Sequence, residues 1–129
     1  MIELNSEEIY YFEKQVRYWS EELGLHSWMI GVNAKDEIDS EAYARTTMHK
    51  NWRTANVEIY TKIEYLPSTI DKLDWLNKTA LHECLEILIA PLSFLASDIY
   101  ADSVVLGASH EIIRVLEKTL IERRPQNEQ

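Results

Sequence analysis

The sequence predicts an α+β domain in which helices at both ends enclose a small antiparallel sheet. Two periodicities point there: apolar residues recur every three to four positions near the N-terminus and throughout the second half, but every second position between them. Length adds a third constraint, since 129 residues build one core and leave little room for another. Residues 1–124 are therefore expected to form a single domain, with 125–129, "PQNEQ", as a frayed polar tail. Neither an internal repeat nor a linker interrupts the chain.

The first element is read from "NSEEIYYFEKQVRYWSEELGL". Asn5 or Ser6 is placed to cap a helix, and Glu7 and Glu8 follow where the helix dipole favours anions. Ile9, Phe12, Val16, Trp19 and Leu23 then share one face, and Gly24 is placed to stop the helix.

"SWMIGVNAK" alternates Trp28, Ile30 and Val32 with smaller or polar neighbours, the period of a half-buried strand. After a turn at "DEIDSE", "AYARTTMHK" and "WRTANVEIYTKI" alternate again around "HKNW", a break suited to a hairpin. The expectation is a three-stranded antiparallel sheet.

"LPSTIDKLDW" offers Ser68 or Thr69 as caps of a long helix that reaches Ile89, and Pro91 is expected to end or kink it. A short helix around "LSFLASDIYADS" and a last one, "ASHEIIRVLEKTLIERR", complete the order. Ile112, Val115, Leu116 and Leu120 are expected on one face of the last helix, with arginines near its C-terminal end.

Composition narrows the function. The apolar fraction of 46% and charged fraction of 27% are those of a folded globular chain. A net charge of −9 opposes phosphate contacts, which rest on Lys and Arg, so nucleic acid is not expected as a partner. One cysteine, Cys84, allows neither an intramolecular disulfide nor a cysteine-rich zinc cluster, and its apolar setting marks a small core residue. With no basic leader before an apolar stretch and no segment expected to reach membrane-span length, a cytoplasmic protein that does not engage membranes is anticipated.

The chemistry concentrates in "TALHECLEILIAPL". Residues i and i+4 share a helix face, so His82 and Glu86 point together while Glu83 stands one step round. In HExxH helices two such positions ligate zinc and the intervening Glu is the general base toward metal-bound water. Here Glu86 occupies the second position, itself a permissible oxygen ligand. His110 on the last helix is the candidate third ligand, with Glu111 or Ser109 as alternatives set by helix rotation. The bland reading is a polar patch on a helix surface; against it, Ala80, Leu81, Leu85, Ile87, Leu88 and Ile89 surround the motif, and buried polar groups need partners. His26 and His49 read as exposed turn residues, and the Trp and Tyr side chains as core and rim packing, with Tyr60, Tyr65 and Tyr100 relevant only if folded near His82.

"LGLHSWMIGVNAK", "RTANVEIY", "TALHECLEILIAPL" and "SHEIIRVLEKTL", in that order, resemble the small zincin-like metallopeptidase-type proteins of phages and prophages, related in layout to the minigluzincins. The likeness runs roughly from Leu23 to Leu120. It implies zinc-dependent peptide hydrolysis with His82 as ligand, Glu83 as general base and Glu86 where the second His is expected. It also implies that "RTANVEIYT" is a sheet edge along which an extended substrate adds itself, and that a phage-encoded chain works in the host cytoplasm. Two function classes follow: a metal-dependent hydrolase held by His82, Glu86 and His110, or a catalytically inactive zincin-like binding or regulatory protein without metal. In the second, Glu86 pairs with His82 and the partner is a peptide or protein.

Overall fold

A computed structural model describes residues 2–39, 42–49, 51–67 and 69–124. The elements are β1 (Ile2–Glu3), α1 (Ser6–Glu22), β2 (Met29–Ile38), β3 (Ala44–His49), β4 (Thr54–Ile63), α2 (Lys72–Ser97) and α3 (Asp102–Arg123). This is an α+β arrangement of three helices and a four-stranded mixed sheet. The expected tail at 125–129 and the candidate cap Ser68 lie outside the described residues.

Helix α1 begins as its sequence dictates. The Asn5 side chain accepts from the Glu8 amide at 2.8 Å, and Glu8 returns the bond to the Asn5 amide at 2.9 Å, a complete capping box. Phe12, Val16 and Trp19 are buried on its inner face, and Gly24 ends it with φ of +69°. Arg17 Nη1 donates to the Ile30 carbonyl at 2.6 Å, tying α1 to β2.

The sheet departs from the expected one in direction and order. β4 antiparallels β3 through Ala44↔Ile59 to His49↔Thr54, as a hairpin should, but β2 runs parallel to β4 from Met29↔Thr54 to Lys35↔Tyr60. β1 pairs antiparallel with the end of β4 at Ile2↔Ile63. One edge of β4 is thus covered by β2 and the other by β3 and β1, so β4 is the central strand and not the edge assigned to "RTANVEIYT". The cause is burial: Ala55, Val57, Ile59 and Ile63 of β4 all face the core, and a strand with the heaviest inward load is best paired on both sides. β2 also absorbs Asp36, Glu37 and Ile38, expected as a turn; the Asp36 carboxylate accepts from Thr61 Oγ1 at 2.9 Å where the register shifts.

Helix α2 lies over the sheet and packs on α1, α3 and β3. Asp71, rather than Thr69, caps it by accepting from the Asp74 amide at 3.0 Å. Pro91 does not end it, and the short helix expected after it is the continuation of α2 to Ser97. Proline deletes one backbone bond, but buried Ala90 and the packed Phe94 on either side hold the last turns in place. Leu76, Ala80, Leu81, Cys84, Leu85 and Ile87 fill the centre of the core, each of the Leu and Ile side chains contributing about 1.5–3 kcal/mol when fully buried. By length and hydropathy α2 also reaches membrane-span dimensions, against expectation; here it is the core helix.

Helix α3 starts at Asp102, earlier than expected, and Ile113 is its one buried residue. Of the four residues expected on one face, Leu116 and Leu120 pack against the core, whereas Ile112 and Val115 are 47% and 66% exposed. The inner face is rotated toward Ser109, His110, Ile113 and Glu117 because these, and not the apolar pair, meet partners on α2.

Candidate metal centre

The helical spacing of α2 projects His82 and Glu86 from one face toward α3, and α3 returns His110 and Glu117. His82 Nε2 lies 3.5 Å from Glu86 Oε1, and His110 Nε2 lies 3.6 Å from the same oxygen. One ligand atom from each of His82, Glu86 and His110 falls within 4.8 Å of the others. The two imidazoles stand with ring centroids 5.9 Å apart. Tetrahedral zinc ligands at about 2.0–2.1 Å from the ion stand roughly 3.3 Å apart, so small side-chain movements would close this set around one divalent ion. Two imidazole nitrogens and a carboxylate oxygen also suit such an ion chemically.

The alternatives to His110 go elsewhere. Ser109 Oγ is 3.0 Å from Ser93 Oγ, and Glu111 is exposed. His26 is an exposed turn residue, as expected, and His49 is exposed but forms the last residue of β3 rather than the turn. Cys84 is fully buried, and burial pushes its thiol up to about 12. Tyr60, Tyr65 and Tyr100 do not line the cavity of about 760 Å³ over His82, whereas Tyr43 does.

Glu83 is buried at 4% exposure beside the cluster, and its Oε2 accepts from Thr46 Oγ1 of β3 at 3.0 Å. Burial, then the negative charge and hydrogen bond of Glu86, raise its carboxyl well above the usual carboxylate range. Glu86 shifts the other way: burial alone would raise it, but hydrogen bonds from His82 and Glu83 and the two imidazoles bring it below its ordinary value. His82 is pushed up to about 10, first by its hydrogen bond to Glu117 and then by Glu86. Without metal, the fold therefore favours the protonated forms of both His82 and Glu83.

Glu117 and Thr46 were not anticipated. Glu117 carried a usable signal, because it follows His110 by about two helical turns and so shares its face. Thr46 carried none, since only the sheet pairing brings β3 over α2. A second, more apolar cavity of about 430 Å³ opens beside Glu86 and His110, lined by Met48, Ile89, Phe94, Val105, Leu106 and Ile113 among others.

Comparison with protein-family models, curated proteins and solved structures yields no match to this chain.

Proposed function

We propose that this protein is a metal-dependent hydrolase of peptide bonds with a zincin-like site, in which His82, Glu86 and His110 hold a divalent ion, zinc being the best fit. The observation that carries this reading is the position of Glu86 Oε1, 3.5 and 3.6 Å from imidazole nitrogens supplied by two different helices. The ion, when bound, acidifies water and polarises the scissile carbonyl.

The remaining chemistry belongs to the chain. Glu117 holds His82 Nδ1, which fixes the ring so that Nε2 faces the centre. Thr46 donates to Glu83 and fixes its carboxyl, which takes a proton from water as the water oxygen bonds the carbonyl carbon. Glu83 then delivers that proton to the departing amine nitrogen as the C–N bond breaks. A raised carboxyl suits this task, because a general base works best when its pKa is near the working pH. The outer edge of β3, unpaired among the described residues, supports an extended peptide beside Glu83.

One observation favours a second reading. His82 lies between two carboxylates, Glu117 and Glu86, and a protonated imidazole there satisfies the cluster without metal, as a binding or regulatory protein would need. Elemental analysis of protein purified without a histidine tag separates the two. About one zinc per chain, lost in His110→Ala, with peptide hydrolysis that disappears in Glu83→Gln, is the expected result. Absence of bound metal after incubation with zinc would leave the second reading standing.

A further inference from the structure

We propose that Arg124 is a positioning residue for the His82–Glu86–His110 site, fixing the register in which α3 lies along α2; this rests on the metal-site reading above. Helix α3 supplies His110 and the carboxylate that orients His82, yet Ile113 is its single fully buried side chain, with Leu116, Leu120 and Ile121 only half-buried against the core. A helix held so lightly is open to sliding by a turn, about 5.4 Å. Such a slide would replace His110 opposite Glu86 by an apolar neighbour on the same face, Leu106 or Ile113.

Arg124, at the C-cap of α3, opposes that slide. It is 6% exposed, and its Nη1 donates to Gln15 Oε1 at 2.6 Å and to Asn77 Oδ1 at 2.8 Å. The guanidinium also sits 3.6 Å from the ring centroid of Tyr18. Asn77 Oδ1 accepts a second bond from Trp19 Nε1 at 2.8 Å, so both its lone pairs are used and the donors have fixed places. A buried guanidinium cannot leave these acceptors without stranding a charge and two polar groups, whereas α3 cannot shift by a turn without withdrawing it. Asn77 stands on α2 itself, between one and two turns before His82, so anchor and site share the helix against which register is measured. Arg124 touches nothing in the site and acts through α3, about four turns below His110.

The test uses the full chain and two readouts: zinc affinity by chelator competition, and the imidazole ¹H–¹⁵N signal of His82 hydrogen-bonded to Glu117. Arg124→Met is expected to weaken zinc binding by tenfold or more and to lose the His82 signal. Ile59→Val, which destabilises the core away from α3, is expected to leave both unchanged. If Arg124→Met lowers thermal stability like Ile59→Val but keeps wild-type zinc affinity and the His82 signal, Arg124 is structural only and the proposal fails. Should Arg124→Met not fold, Gln15→Leu, which removes one of its two acceptors, decides: weakening of several-fold supports the proposal, and wild-type affinity overturns it. Wild-type protein that binds no zinc would overturn the metal reading alone; the His82 signal then decides the register, its loss supporting the role of Arg124 and its persistence refuting it.

Discussion

Glu117 Oε1 lies 2.5 Å from His82 Nδ1, on the ring nitrogen opposite the one that faces Glu86 at 3.5 Å. The imidazole is therefore held at both ends by carboxylates from two helices. If the outer bond orients a metal ligand, Glu117→Gln, which keeps shape but removes charge, weakens zinc binding by about 10–100-fold. Chelator competition measures this, and an affinity equal to wild type would remove Glu117 from the site.

At the proposed site zinc would displace the His82 proton, whose pKa is pushed up to about 10 in the metal-free fold. Zinc affinity accordingly rises with pH through neutrality, by up to about tenfold per unit for each proton released. Titration calorimetry in buffers of different ionisation heat counts those protons, and a count of zero at neutral pH contradicts this assignment. The metal-free fold has the opposite dependence. Its raised His82 pKa contributes stability that is complete below about 6.5 and lost as pH rises through about 10.

Glu83 adds to that trend. Its raised carboxyl makes ionisation costly to the fold from about 4.5 upward, in full once pH exceeds the raised value. Glu83→Gln is expected to abolish hydrolysis, retain zinc, and stabilise the metal-free protein at mildly alkaline pH by about 1–2 kcal/mol, equivalent to one pKa unit or slightly more. Thermal melts of both forms at acid and alkaline pH check the sign. A variant less stable than wild type under alkaline conditions would show that Glu83 is not a strained base.

How much of this was legible in the sequence differs by element. The Asn5 cap of α1, the β3–β4 hairpin and the shared face of His82 and Glu86 follow from local spacing, which the sequence states directly, whereas the choice of His110 over Glu111 or Ser109 depends on the rotation of α3. The parallel pairing of β2 does not, because strands adjacent in sequence carry the same alternation whether or not a third strand inserts between them. Pro91 misled for a related reason: the cost of a proline is local, while the packing of Ala90 and Phe94 that offsets it is tertiary. The inner face of α3 was read only in part, because apolar Ile112 and Val115 look like core as much as Leu116 and Leu120 do, and only the last two pack against it.

Cys84 offers a check on the core. A fully buried thiol pushed up to about 12 should not react with an aromatic disulfide reagent in the folded state, yet titrate as one thiol per chain in denaturant. Rapid labelling of native protein would mean that α2 opens readily.

Ile59, fully buried on β4, tests the central strand. Ile59→Ala is expected to cost about 2–5 kcal/mol in denaturant unfolding. A cost below about 1 kcal/mol would be incompatible with a close-packed position at the centre of the sheet.

The place of β4 also governs the order of folding. Among the described residues it is the last strand along the chain, and each of the other three pairs with it and with none of the rest. No two-stranded intermediate can assemble from β1, β2 and β3 alone, so strand pairing waits for β4 and the loop closures that bring distant partners together. A chain emerging during synthesis would keep its first three strands unpaired until the last was available, and the rate of folding would be set where the sheet is most deeply buried.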